Sequence, residues 1–110
     1  MRVAIEFAGI YAERIAGKGP AFSSWDWKIL PTHRPLLTRL AEQAFIILHT
    51  VLVSEETNLD LDAQRRALES WLALVGLPWD IVWSHPGKPL AEHYIEEPAD
   101  LQALCQQLDK

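Results

Sequence analysis

The pattern of apolar positions predicts four short strands along the chain. Arg2–Phe7 and Ala44–Thr50 are apolar almost without interruption, which is typical of strands buried on both faces of a parallel sheet. Two shorter stretches, Trp79–Ser84 and His93–Glu96, complete the set. The first strand brings the carboxylate of Glu6 to its carboxyl end, directly before a glycine turn.

Apolar residues recur with helical spacing in three segments between and after these strands. The spacing predicts helices at His33–Gln43, Leu61–Val75 and Pro98–Leu108. Thr32 and Asp60 precede the first two and are residue types that cap helix N-termini. Strands that alternate with helices indicate an α/β fold with a mainly parallel sheet and helices on both faces.

One long segment, residues 10–31, interrupts this alternation. It contains glycines and a proline and has no clear periodicity, so we expect an irregular insertion or a minimal cap within a single domain over residues 1–110. Trp25 and Trp27 in this segment have two interpretations. They either fold back as a hydrophobic plug or form a lid over a substrate.

Composition and charge limit which binding partners and which compartment we expect. The 110 residues carry a formal net charge of −5, which argues against a nucleic-acid-binding surface. The longest apolar run, Ala44–Val53, contains His49 and is too short to cross a bilayer, and the N-terminus lacks a signal-peptide pattern. The single cysteine, Cys105, is expected in the core, and it leaves no disulfide framework. We therefore expect a cytoplasmic protein that binds neither nucleic acid nor membrane.

Several polar side chains are predicted to meet at the carboxyl edge of the sheet. Right-handed crossovers bring the carboxyl ends of parallel strands to one rim, where open α/β sheets bind their ligands. Glu6, Thr50, Lys88 and the pair Glu96 and Glu97 fall there. Carboxylates suit Mg²⁺, and a lysine and a hydroxyl suit a phosphate group. The sequence therefore indicates a phosphate and magnesium site.

These stretches resemble the motifs of the haloacid dehalogenase-like (HAD) superfamily, specifically its small, nearly capless phosphatase-type members. RVAIEFAG at the start of the chain resembles the first motif, and FIILHT, which ends at Thr50, resembles the second. GKP around Lys88 resembles the third, and YIEEPA (Tyr94–Ala99) resembles the fourth. The resemblance covers most of the chain outside residues 10–31. It implies a Rossmann-like three-layer α/β/α sandwich with four parallel strands in the order 3-2-1-4.

The resemblance also implies a role for each residue at the rim. Thr50 and Lys88 would bind phosphate. The cofactor that the resemblance allows is Mg²⁺, and Glu6, Glu96 and Glu97 would hold it. Two departures concern the catalytic positions in the first motif.

Glu6 stands where the family has its aspartate nucleophile, and Ala8 stands where it has its aspartate acid/base. The extra methylene of Glu6 displaces the carboxylate, and a misplacement of about 1 Å can cost about a hundredfold in rate. Ala8 cannot protonate a leaving group, a role worth about 10²–10⁴ in rate. We therefore expect phosphatase turnover through this site to be lost.

Three functions follow as hypotheses. The first is a binding or structural module without phosphatase activity, which includes self-association as a homo-oligomer. The second is a weak or altered Mg²⁺-dependent phosphohydrolase. The third is a binder of a small phosphorylated ligand that does not hydrolyse it.

Some rim residues also have plainer interpretations that the sequence leaves open. Lys88 could be an exposed turn residue, and Glu97 could cap the helix that begins at Pro98. His49 is expected to be a partly buried strand residue, and His85 could line the pocket. The four histidines do not have the spacing of zinc ligands.

Overall fold

The computed structural model describes residues 1–17, 22–50, 60–85 and 87–109, so the predicted loop after Thr50 lies outside the described residues. In chain order the strands are β1 (Arg2–Glu6), β2 (Ala12–Arg14), β3 (Trp27–Ile29), β4 (Phe45–His49), β5 (Ile81–Val82) and β6 (His93–Ile95). The helices are α1 (Arg34–Ala41), α2 (Leu61–Val75) and α3 (Pro98–Leu108), and a 3₁₀ turn spans Ser24–Asp26. The chain is thus a mixed α/β fold.

The main sheet has four parallel strands in the order β5-β4-β1-β6. This order confirms the predicted parallel sheet and its arrangement 3-2-1-4. Strand β1 lies in the middle, and its residues Val3, Ala4 and Ile5 have no exposed surface. Burial on both faces explains why this strand is apolar without alternation.

Two parts of the insertion form regular secondary structure. Strands β2 and β3 form an antiparallel hairpin in which Ala12 pairs with Ile29 and Arg14 pairs with Trp27, so the prediction of an irregular segment is wrong for this part. Strands of three residues are too short to show a two-residue period, and the pairing is fixed by tertiary contacts. The Tyr11 hydroxyl donates a hydrogen bond to the carbonyl of Pro78 at 2.6 Å, which ties the start of the hairpin to the loop after α2.

The two insertion tryptophans have different environments. Trp27 is 8% exposed, and its ring lies 4.9 Å from the ring of Phe7. This contact confirms the interpretation of Trp27 as a plug on the core. Trp25, in contrast, is 87% exposed, so it does not belong to the plug.

Helix ends follow the predicted caps in one case and depart from them in another. The Asp60 side chain accepts hydrogen bonds from the backbone of Asp62 and Ala63 and caps α2 as predicted. Helix α1 begins at Arg34 with His33 at the N-cap position, so the prediction of Thr32 as the cap is wrong. The reason is a tight turn before the helix, in which the His33 amide already bonds to the carbonyl of Leu30.

Helices α1 and α3 pack against each other. The Cys105 thiol is buried, as predicted, and lies 3.5 Å from the carbonyl oxygen of Leu36 on α1. Burial raises the pKa of this thiol, so Cys105 is a core residue of the interface between these helices. None of the described helices is long and apolar enough to cross a membrane.

Candidate functional site at the carboxyl edge of the sheet

The register of the sheet brings the predicted strand ends together. Glu6 at the end of β1 pairs with His49 at the end of β4, and Ile95 of β6 pairs with Ile5 on the other side. Glu96 follows Ile95 directly. Because all these strands are parallel, their carboxyl ends share one edge, as the sequence predicted for Glu6 and Glu96.

Glu6 and His49 contact each other across this edge. The distance from His49 Nδ1 to Glu6 Oε2 is 3.5 Å, and the two side chains are 13% and 30% exposed respectively. Burial is the main cause that raises the pKa of Glu6, and the charge of Glu96 adds to it. Burial likewise lowers the pKa of His49. The imidazole is therefore mostly neutral at pH 7, and the contact is not an ion pair there.

The second nitrogen of His49 has an unusual environment. Its Nε2 is buried and, in the described part of the chain, has no hydrogen-bond partner. Buried polar atoms of side chains normally have a hydrogen-bond partner. His49 is therefore an unusual polar residue at the end of an otherwise apolar strand. Sequence reasoning treated His49 as a strand residue only. The contact of His49 with Glu6 could have been inferred from the strand register, which puts the two residues opposite each other.

Lys88 and Glu96 form an exposed ion pair at the same edge. Lys88 Nζ lies 2.5 Å from Glu96 Oε1, and the ammonium lies 5.8 Å from the centre of the Tyr94 ring. The hydrogen bond and charge of Glu96 raise the pKa of Lys88, and Lys88 lowers the pKa of Glu96 in return. Both groups are therefore charged across the neutral pH range. Lys88 lies in an exposed loop, as one interpretation expected, but it is not an unpaired turn residue.

The electrostatic influence of this pair reaches the buried contact. The charge of Lys88 lowers the pKa of both Glu6 and His49, and the charge of Glu96 raises both. These four side chains therefore form one cluster, which we call the rim cluster. Thr50, the next residue after β4, is 7% exposed.

Glu97, Ala8 and His85 lie outside the rim cluster. Glu97 is the N-cap residue of α3, and its backbone amide donates to Asp100 Oδ2 at 3.1 Å, which fits the capping interpretation. Ala8 is exposed and forms an isolated bridge with Ala12 of the hairpin. His85 contacts the Trp83 ring and lines a separate pocket of about 300 Å³ beside β5 and α2.

Glu6, Glu96 and Glu97, the carboxylates predicted to hold Mg²⁺, have different neighbours in the structure. Among the described residues, no three His, Cys, Asp or Glu side chains are placed to hold a metal ion together. Glu96 is engaged by Lys88, and Glu97 lies at the start of α3. The chemistry that the rim cluster offers is one half-buried carboxyl, one neutral imidazole and one exposed ion pair.

Comparison with family models, with curated proteins and with solved structures found no match to this chain.

Proposed function

We propose that the chain is a HAD-like three-layer α/β/α domain that lacks phosphatase turnover and acts as a binding or structural module. The observation that carries this proposal is the 2.5 Å contact between Lys88 and Glu96. In the HAD family the corresponding lysine neutralises phosphate and nucleophile. Here its charge is already matched by a carboxylate of the same chain, so a phosphate group would have to displace Glu96.

The first strand supports the same proposal. Ala8 has no side-chain proton to donate, so a leaving group would depart without general acid assistance. The carboxylate of Glu6 contacts His49, and burial favours its protonated form. The extra methylene of Glu6 also displaces its carboxylate from the position of an aspartate nucleophile, and a misplacement of about 1 Å can cost about a hundredfold in rate. The residues at the two motif positions that would perform phosphoryl transfer are therefore both unsuited to it.

A phosphatase assay tests this proposal. The full chain is incubated with p-nitrophenyl phosphate and Mg²⁺, and release of nitrophenol is compared between the wild type and Glu6→Ala. We expect both rates to equal the background, because neither a nucleophile nor a proton donor is in place. Wild-type turnover that Glu6→Ala abolishes would refute the proposal and favour the weak phosphohydrolase.

A second candidate, a phosphate-ligand binder without hydrolysis, is supported by the position of Thr50 directly after β4 and of Lys88 against Glu96, the residue directly after β6. It makes a distinct prediction about Glu96. If phosphate binds at Lys88, inorganic phosphate should raise the melting temperature, because a ligand that binds only the folded state stabilises it. Glu96→Gln should increase this shift by freeing Lys88, and Lys88→Gln should abolish it.

The same titration separates the two candidates. A module that binds no phosphate at this edge should show no change of melting temperature with phosphate, with Mg²⁺ or with both, in the wild type and in Glu96→Gln alike. A phosphate-dependent shift that survives Lys88→Gln would exclude the rim cluster as the phosphate site.

A further inference from the structure

A groove of about 410 Å³ lies between the 3₁₀ turn and helix α2. It shares no described lining residue with the rim cluster. Aromatic and hydroxyl side chains dominate its walls. They include Ser23, Ser24 and Trp25 on the side of the turn, and Ser70, Trp71 and Leu74 on the side of α2. Its volume falls within the range of about 300–1,000 Å³ that ligand pockets occupy.

The wall formed by Trp71 is held in place by the core. Trp71 is 8% exposed, and its ring lies 5.8 Å from both the Phe7 and the Phe22 rings in edge-to-face geometry. The backbone amide of Phe22 donates to Gln64 Oε1 at 2.9 Å, which fastens the chain before the turn to α2. The two sides of the groove are therefore connected to each other. A ligand would meet a wall that is already ordered.

Two large apolar side chains stand exposed at this groove. Trp25 is 87% exposed and Leu74 is 84% exposed. Single exposed apolar residues need no explanation, but apolar surface gathered around one concave site marks a binding surface. An exposed indole costs hydration free energy in the unbound protein, and a bound partner would recover that cost.

The polar side chains among the described lining residues of the groove are three serines. In the part of the chain that the structure describes, the side chains of Ser23, Ser24 and Ser70 make no hydrogen bond. Ser23 is the N-cap residue of the 3₁₀ turn and still makes no capping bond. Each hydroxyl can both donate and accept, so the groove offers neutral hydrogen-bonding groups on both sides.

The described lining residues of the groove are uncharged. None of the described residues that line the groove carries a formal charge, although the whole chain has a net charge of −5. A phosphorylated or otherwise anionic ligand would meet no cation among the described lining residues. A purely apolar partner, such as a packed helix, would bury the three hydroxyls without partners, at a desolvation cost for each. The groove therefore suits a ligand that is neutral, partly apolar and rich in hydroxyls.

We propose that this groove binds a neutral carbohydrate. A pyranose ring presents C–H groups on its faces and hydroxyls around its edge. The face of Trp25 would pack on the C–H groups, and the serine hydroxyls would exchange hydrogen bonds with the sugar hydroxyls. This site is independent of the rim cluster and of the function proposed for it.

Isothermal titration of the full chain with neutral oligosaccharides of glucose, mannose and N-acetylglucosamine tests the proposal. We expect saturable binding of at least one series, with a Kd of about 1 mM or tighter. Trp25→Ala should weaken this binding about tenfold or more, and Ser70→Ala should weaken it to a smaller extent. Leu90→Ala is the matched control, because Leu90 is as exposed as Leu74 but lies outside the groove.

Three results would overturn the proposal. The first is the absence of saturable binding for all three series, and the second is equal affinity of the wild type and Trp25→Ala. The third is a dimer in sedimentation experiments that Trp25→Ala dissociates, because a second copy of the chain would then cover the groove. Trp25 and Ser70 are both exposed, so the unfolding midpoints of the two variants should match the wild type.

Discussion

His49 and Glu6 are two titratable side chains whose ionisation the fold opposes. Burial shifts the two pKa values in opposite directions, and in each case the neutral form gains. Stability must therefore depend on pH through the burial of these two groups. Histidine ordinarily titrates near neutrality and glutamate in acid. The two shifts move these ranges toward each other, and they have opposite effects on stability as the pH falls.

Acidification is expected to destabilise the protein through His49. The pKa of His49 in the folded state lies below its ordinary value of 6.5, so the unfolded chain takes up the proton first. The stability that this group contributes is present above pH 6.5 and is lost as the pH falls through the folded-state pKa. The difference in urea unfolding free energy between the wild type and a variant without this histidine should show the loss from neutral to mildly acidic pH, because Glu6, whose shift has the opposite effect, is present in both.

His49→Gln should flatten this part of the stability profile, because glutamine does not titrate. His85→Gln is the matched control, since His85 is exposed and contacts Trp83 outside the rim cluster. Profiles of the wild type and His49→Gln that run parallel would contradict the assignment.

The residues of the rim cluster were only partly predictable from the sequence. Glu6 and Glu96 could be placed because parallel strands end at one edge whatever their side chains do. The contact of Lys88 with Glu96 depends on the conformation of the loop before β6, and the role of His49 depends on the register of β4. Neither contact is encoded in a local pattern. The sequence therefore left Lys88 open between a phosphate ligand and an exposed turn residue, and it predicted His49 as a partly buried strand residue without its contact to Glu6.

At the scale of elements, the hairpin β2–β3 is fastened to the rest of the fold by a buried tyrosine. Tyr11 is 1% exposed, and its hydroxyl bonds to the Pro78 carbonyl at 2.6 Å. Tyr94 makes a comparable bond to the Pro89 carbonyl at 2.8 Å, but its side chain is 40% exposed. The two tyrosines therefore offer the same chemistry at different burial.

Tyr11→Phe is expected to cost about 1–3 kcal/mol of unfolding free energy, because it leaves the partly buried carbonyl of Pro78 without its partner. Tyr94→Phe should change stability by less than about 0.5 kcal/mol, because water can replace an exposed hydroxyl. Urea denaturation of the two variants and the wild type measures both values. Equal losses of unfolding free energy in the two variants would show that burial does not determine the cost of removing a tyrosine hydroxyl.

Local sequence signals explain which elements were predicted well. Helices α2 and α3 have the predicted bounds, because a cap at Asp60, a left-handed glycine at Gly76 and a proline at Pro98 define them locally. The hairpin has no such signal, and its short strands are held by Trp27 against Phe7. Tertiary contacts therefore decide the part of the fold that the sequence left irregular.

At the scale of the whole molecule, one aromatic cluster joins the sheet, the hairpin and α2. Phe7 has no exposed surface, and its ring lies within 6.2 Å of the rings of Tyr11, Phe22, Trp27 and Trp71. Aromatic pairs at these distances contribute beyond their buried area. Phe7 follows β1 directly, so the cluster links the central strand to the insertion.

Phe7→Ala is expected to destabilise the protein by about 3–5 kcal/mol, since it removes a fully buried ring and leaves a cavity among four others. Phe45→Ala is the matched control, because Phe45 is 43% exposed, and its loss should cost about 1 kcal/mol or less. Thermal and urea unfolding monitored by circular dichroism measure both. A small effect at Phe7 would mean that the insertion packs independently of the sheet.

The central place of β1 has a consequence for the order in which the chain can fold. Arg2 pairs with Phe45, and Val3 pairs with His93, so this strand needs partners from the middle and from the far part of the sequence. Such non-local pairing slows folding. During synthesis, β1 would expose an unpaired apolar edge until β6 has been made. Variants that remove β6 and α3 are therefore expected to aggregate rather than to form a smaller stable domain.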